Sequence, residues 1–149
     1  MKSCRFLALA TALACLTAGA ASAQQPPQQG ARPLPKEEKT FPKDSSWTLR
    51  QLNGKPVPAG MEATMRIDGQ FRGAGFAGCN TWSATMWPVR GQRFAVGGIA
   101  VTKKACPQPV MQFESAFLHA LFSAPTWDVI GDRLEVKSEA GTLTFGRGF

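Results

Sequence analysis

The residues that could do chemistry in this 149-residue chain are few, and the cysteines come first. Cys79 ends a glycine-rich run, and Cys106 follows Lys103 and Lys104 closely. A free thiol beside two lysines would have a lowered pKa. Neither cysteine belongs to a Cys-x-x-Cys pair, however, which is the usual mark of a redox motif. A thiol–disulfide enzyme is therefore only an alternative, which mass spectrometry before and after alkylation would identify.

The single histidine, His119, is the other candidate for catalysis or metal binding. It falls on the polar face of a predicted helix, without a second ligand-rich cluster, so we interpret it as structural. No serine or cysteine stands in a recognisable nucleophile motif. The sequence therefore predicts a non-enzymatic protein with no catalytic residues, no metal and no cofactor.

The N-terminus has the pattern of an export signal. Lys2 and Arg5 precede an apolar run from 6 to 18, and Ala21-Ser22-Ala23 has the small-x-small form of a cleavage site. The run is shorter than the ~20 residues that span a bilayer. We expect a signal peptide over 1–23, cleavage after Ala23, and a periplasmic or secreted protein without a transmembrane segment. Lipoprotein anchoring at Cys15 is the less favoured alternative, because the position three places before it is Ala12 and not the expected leucine.

Cleavage would leave Cys79 and Cys106 as the only cysteines, and it would lower the formal net charge from +7 to +5. Two cysteines in an oxidising compartment are most simply one disulfide. A disulfide that closes the loop from Cys79 to Cys106 contributes about 3–4 kcal/mol to stability in the chain-entropy model.

The mature chain divides into a linker and one domain. Residues 24–45 contain five prolines and no apolar periodicity, which predicts a disordered linker. The folded domain is expected over 46–149. Its alternating apolar segments and frequent turn residues predict short antiparallel strands. The predicted strands cover 47–52, 61–67, 71–76, 82–89, 93–96, 99–102, 127–130, 133–137 and 142–145, with a two-residue hairpin turn at Asp68-Gly69.

One helix is predicted between the prolines at 107 and 109 and the Ser123–Pro125 stop. A stripe of apolar residues at helical spacing should face the sheet, and a polar face should face solvent. The apolar stripe comprises Val110, Phe113, Phe117 and Leu121, widened by Met111, Leu118 and Phe122; the polar face comprises Gln112, Ser115 and His119. The fold class is therefore α+β and mostly antiparallel β: a small closed or cracked β-barrel with one helix between later strands.

The glycine-rich run from 73 to 82 is the candidate binding corner. Three glycines allow bends and close backbone approach, and an exposed tryptophan favours binding. We hypothesise that Asn80, Thr81, Trp82 and Trp87 contact a partner. The competing interpretation is structural: both tryptophans lie in the core and Asn80 caps a turn.

Several segments together resemble the META domain family, whose members include a heat-shock protein. The resembling segments, spread over about 47–145, are Trp47-x-Leu49, Asn-Gly-Lys-Pro at 53–56, GFAGCNTW at 75–82, TKKACP at 102–107, Glu114 with FLHAL, Trp127, and DRLEVKSEAGTLTF at the end. The resemblance implies a small antiparallel barrel with one helix and supplies no catalytic residues. Thr81 and Trp82 stand where the family often has arginine and tyrosine, so no polar role carries over to them.

The sequence predicts an exported, non-enzymatic protein that binds an unknown envelope protein, and the family resemblance implies a stress-response or envelope-integrity role. The alternative is a carrier of a small apolar ligand inside the barrel. The excess positive charge is scattered, so nucleic acid is not an expected partner. The protein is expected to be a monomer.

Overall fold

A computed structural model describes residues 37–123 and 125–148. The predicted signal peptide over 1–23 and residues 24–36 of the predicted linker lie outside the described residues. The described part contains nine strands and one helix. The strands are β1 (Ser46–Leu52), β2 (Lys55–Pro56), β3 (Thr64–Ile67), β4 (Arg72–Phe76), β5 (Thr81–Val89), β6 (Arg93–Val101), β7 (Thr126–Ile130), β8 (Arg133–Ser138) and β9 (Gly141–Arg147), and α1 spans Gln108–Phe122.

All neighbouring strands are antiparallel, and the sheet closes on itself. The order runs β2-β1-β3-β4-β5-β6-β7-β8-β9, and β1 also pairs with β9 from Trp47↔Arg147 to Leu52↔Leu143. Apart from the two-residue β2, eight strands therefore form a closed barrel. The predicted barrel with one helix between later strands is confirmed.

The barrel interior is filled by side chains. Alternate residues of each strand point inward because side chains of a strand alternate between its two faces. Trp47, Met65, Ile67, Met86, Leu134, Leu143 and Phe145 are all buried. The helix adds Phe117 and Leu121 to the same core, and the rings of Phe117 and Phe145 meet edge to face at 6.3 Å. The core is thus shared by the barrel and the helix.

The helix connects the two neighbouring strands of the barrel that are most weakly paired. β6 and β7 share one residue pair, Arg93↔Thr126, and α1 connects these two strands. Phe113 and Phe117 are buried and His119 is exposed, as the apolar stripe predicted. Met111 is exposed instead of buried, because it lies at the edge of that stripe. Among the described residues, no helix is long and apolar enough to cross a membrane.

The predicted boundary between linker and domain at Ser45 is too late. Phe41 is buried against Phe94 and Trp127, with ring centroids 5.1 and 5.2 Å away. Lys39 Nζ donates to Asp128 Oδ1 at 2.6 Å and to the Val129 carbonyl at 2.7 Å. Phe41 has no apolar neighbours at strand or helix spacing, so the sequence did not predict that it is part of the folded domain. Its burial extends the domain toward the N-terminus.

Two turns differ from the prediction. The predicted break at 96–99 is a bulge inside one continuous strand, β6, where Gly98 has a φ of 56° and the register against β5 shifts. The β3–β4 hairpin has a three-residue loop, because Asp68 N donates to Arg72 O and the loop residues lie between them. The last loop residue, Phe71, has a φ of 62°.

Candidate functional site

The centre of the predicted corner is a buried contact between Asn80 and Glu114. Asn80 is 2% exposed, and Glu114 is buried although it is a carboxylate on a helix. Glu114 Oε2 accepts the Asn80 backbone N–H at 2.6 Å, and Glu114 Oε1 accepts the Asn80 side-chain amide at 2.9 Å. A buried carboxylate is unfavourable unless its oxygens are hydrogen-bonded. In Glu114 both oxygens accept a hydrogen bond, which offsets the cost of burial.

The same asparagine also holds the loop that precedes the helix. Asn80 Oδ1 accepts a hydrogen bond from Thr102 Oγ1 at 2.8 Å and one from the Lys104 backbone N–H at 2.7 Å. Asn80 Nδ2 also donates to the Lys104 carbonyl at 3.4 Å. Both ends of the amide are therefore occupied within the protein. Asn80 ties the corner, the 102–104 loop and the helix together.

The predicted disulfide lies beside this contact. Cys79 and Cys106 are joined, with their Cα atoms 6.0 Å apart. The covalent bond and the hydrogen bonds of Asn80 link the same two chain segments. With both sulfurs in the bond, neither Cys79 nor Cys106 is a free thiol that Lys103 and Lys104 could activate.

The glycines of the corner meet a steric demand. Gly78 has a φ of 100°, and a Cβ there would lie 2.9 Å from Phe113 Cδ1. A Cβ on Gly75 would lie 1.9 Å from the Thr64 carbonyl oxygen. Both positions need glycine because neighbouring atoms occupy the space of a side chain. The run therefore packs against protein atoms and does not form an open cradle.

The four predicted binding residues separate into two groups. Trp82 is 2% exposed; its Nε1 donates to the Thr64 carbonyl at 3.3 Å, and its ring meets Phe122 edge to face. Asn80 and Trp82 are thus enclosed, and neither side chain is open to a partner. Thr81 and Trp87 point outward on β5, and Trp87 is 40% exposed.

The exposed residues of β5 form one row. Alternation along the strand places Thr81, Ser83, Thr85 and Trp87 on the outside, and we call this row the β5 face. An open cleft of about 640 Å³ lies next to its middle. The cleft is lined by small residues of β4, β5 and β6, such as Ala74 and Ser83, and by the charged residues Arg66, Asp68 and Arg72. Sequence reasoning found Thr81 and Trp87 but not Ser83 and Thr85, although the alternation of β5 contained that signal.

Two ion pairs on the barrel surface involve aspartates whose pKa is lowered. The hydrogen bond from Lys39 lowers the pKa of Asp128, and a second bond, from Gln92, adds to this effect. The backbone N–H of Arg72 lowers the pKa of Asp68, and the Arg72 side chain adds an ion pair at 2.8 Å. Across 37–123 and 125–148, no three His, Cys, Asp or Glu side chains cluster so as to hold a metal ion.

Glu114 is the residue of this site whose role sequence reasoning missed. The family resemblance includes Glu114 but assigns it no contact. Its spacing contained a signal: Glu114, Phe117 and Leu121 fall on one helix face, so the carboxylate belongs to the apolar stripe.

Known proteins resemble this chain in fold. Residues 40–147 match the META domain family. A protein from Burkholderia xenovorans solved by NMR is 24% identical, with a TM-score of 0.58, covering 76% of this chain and 96% of its own. A second NMR structure is 20% identical, with a TM-score of 0.59, covering 68% of this chain and 87% of its own. No curated protein matches the sequence. Because the family match covers most of the chain and includes the corner, the disulfide and Glu114, the protein belongs to the META domain family.

Proposed function

We propose that this protein is an exported binding protein of the cell envelope that acts through the β5 face. The exposure of Trp87 is the observation that carries the proposal. A tryptophan that stays 40% exposed beside a row of hydroxyl side chains offers a large apolar contact area and an indole N–H donor. Tryptophan is also enriched among the residues that dominate protein–protein binding.

The rigid corner supports this use of the face. The disulfide and the Asn80–Glu114 contact fix the chain at the start of β5. Thr81, the first residue of the strand, therefore directly follows an immobilised residue. A preorganised surface loses less conformational entropy when it binds. The buried residues of the corner thus act as positioning residues for the exposed row.

Export rests on the N-terminal sequence, and the envelope setting follows from it. The basic start, the apolar run and Ala21-Ser22-Ala23 support cleavage after Ala23. The resemblance to a family with a heat-shock member supports a stress-response or envelope-integrity role. For an exported protein with such a role, the proposed partner is an envelope protein.

A carrier of a small apolar ligand is less well supported. Trp47, Phe117, Phe145 and Met86 are fully buried in the barrel and occupy the space that such a ligand would need. The cleft beside the β5 face is instead open, and Arg66 and Arg72 are among the residues that line it, which does not suit an apolar ligand.

Site-specific crosslinking tests the proposal. A photo-crosslinking amino acid at position 85, in the β5 face, should yield a discrete adduct in intact cells. The same group at position 137 on β8 is the control and should give no such adduct. Equal adducts from both positions, or none from position 85, would contradict a binding role for this face.

A further inference from the structure

A second surface, separate from the β5 face, is centred on Phe71. A cleft of about 430 Å³ opens beside it, within the size range of small-molecule sites. Its lining includes Lys43, Phe71, Pro88, Arg90 and Gln92. The cleft therefore combines an aromatic ring with cationic side chains and one carboxylate, Glu38, whose Oε1 accepts the Gly91 N–H at 2.6 Å.

The backbone of Phe71 is strained. Phe71 closes the three-residue loop of the β3–β4 hairpin with a φ of 62°. In such loops the last position normally takes glycine, because a side chain disfavours the left-handed region. A bulky residue there is an outlier, and outliers of this kind concentrate at functional sites.

At Gln92 and Asn53, side-chain hydrogen bonds or the residue type account for the positive φ. Phe71 has neither of these to stabilise its backbone conformation. Gln92 has a φ of 52°, but its Nε2 donates to the Trp127 carbonyl at 3.0 Å and to Asp128 Oδ1 at 3.2 Å. Asn53 is of a type that tolerates this region. Phe71 remains 39% exposed, so its ring does not compensate the strain through full burial.

Two of the cations that line the cleft, Lys43 and Arg90, are available to a ligand. Lys43 Nζ lies 4.8 Å from the centroid of the Phe71 ring, which places an ammonium group at the aromatic surface. Neither Lys43 nor Arg90 forms an ion pair with any residue that the structure describes. By contrast, Lys39 is bound to Asp128.

We propose that this cleft binds a small organic anion that carries a ring. The ring packs against Phe71, and the carboxylate or phosphate lies near Lys43 and Arg90. Arginine and lysine bind such groups through charge-assisted hydrogen bonds. Contact of a ligand with this ring would explain why the hairpin has phenylalanine at a position where glycine would be easier to accommodate.

A titration of the ¹⁵N-labelled protein, followed by amide chemical shifts, tests this proposal. The probes are galacturonate and benzoate, which are ring-bearing anions. Galactose, a neutral ring, and inorganic phosphate, an anion without a ring, are the controls. One or both ring-bearing anions should shift the amides of Phe71, Arg90 and Gly91 and bind at least about tenfold more tightly than either control.

Each outcome has a defined meaning. Saturable binding of galacturonate alone identifies a sugar acid, and binding of benzoate alone identifies an aryl acid; either result agrees with the proposal. No saturable shift with either ring-bearing anion overturns it. So does phosphate or galactose binding as tightly as the ring-bearing anions.

Variants then assign the binding to the named side chains. Phe71→Gly should weaken binding by about tenfold, while the melting temperature stays close to that of the wild type because glycine suits the left-handed region. Lys43→Gln should weaken binding without affecting the fold, and Lys55→Gln, an exposed lysine outside the cleft, should leave it unchanged. Wild-type affinity in Phe71→Gly or Lys43→Gln would overturn the proposal.

Discussion

Glu114 contacts Asn80 at two atoms: it accepts the backbone N–H at 2.6 Å and the side-chain amide at 2.9 Å. The two residues belong to different elements, the corner before β5 and the first half of α1. This contact fixes how the helix lies on the barrel. It also explains why a carboxylate occurs on a buried helix face.

The contact makes a prediction for stability. Glu114→Ala would leave two buried N–H groups of Asn80 without an acceptor, and we expect it to destabilise the protein by about 2–4 kcal/mol. Glu114→Gln should cost less, because its amide oxygen still accepts one bond. Glu139→Ala, at an exposed glutamate, is the control and should change stability by less than about 0.5 kcal/mol. Urea unfolding measures all three, and a Glu114→Ala protein as stable as the control would refute this role.

The disulfide is expected to contribute separately. Reduction should lower the melting temperature by about 10 °C or more, since the bond contributes about 3–4 kcal/mol and each kcal/mol shifts a small domain by several degrees. The double variant Cys79→Ser/Cys106→Ser is the control and should melt at one temperature with or without reductant. Two alkylatable thiols in natively purified protein would contradict the disulfide.

The helix faces give a third prediction. Phe117 is buried between helix and barrel, so Phe117→Ala should cost about 3–5 kcal/mol. His119 is exposed, and His119→Gln should change stability by less than about 0.5 kcal/mol. Thermal or urea unfolding compares the two variants. A large loss in His119→Gln with a mild effect in Phe117→Ala would reverse the assigned faces.

Much of the fold was predictable because short-range patterns decide it. The alternation in β5 indicated which residues point inward, and Asn53-Gly54 indicated a tight turn, which the structure forms with φ values of 53° and 74°. A closed or cracked barrel was expected from the short strands with frequent turns and from the family resemblance, whereas the pairing of β1 with β9 was not predicted. No local pattern specifies which two distant strands meet.

The rest depends on contacts between distant residues. The burial of Phe41 requires Phe94 and Trp127, which lie far along the chain. The corner residues Asn80 and Trp82 suited either a binding surface or a buried turn from sequence alone. Their burial was decided by Glu114 and Thr64, which only the folded chain brings to them.

Acid should loosen the segment that precedes β1. The pKa of Asp128 is lowered in the folded protein, chiefly by the Lys39 hydrogen bond, so its contribution to stability is present above the ordinary aspartate pKa of ~3.9. That contribution is lost as the pH falls through the lowered pKa, because the folded state must then take up the proton. The pair is partly exposed, so we expect no more than about 1 kcal/mol.

The stability difference between the wild type and Asp128→Asn measures this effect across acid pH. The difference should be present near neutral pH and disappear at pH values below the lowered pKa of Asp128. An NMR titration of the Asp128 carboxyl that gave an ordinary or raised pKa would contradict the assignment.

The proposed role of the β5 face is to bind the partner, while the buried corner only positions this face. The most direct measurement is partner capture after crosslinking in the envelope, with melting temperatures for the same variants. Trp87→Ala should abolish capture and destabilise the fold by at most about 2 kcal/mol, because the side chain is already partly exposed. Ile130→Ala, which truncates another exposed apolar side chain, should retain capture. Full capture by a folded Trp87→Ala protein would contradict the claim.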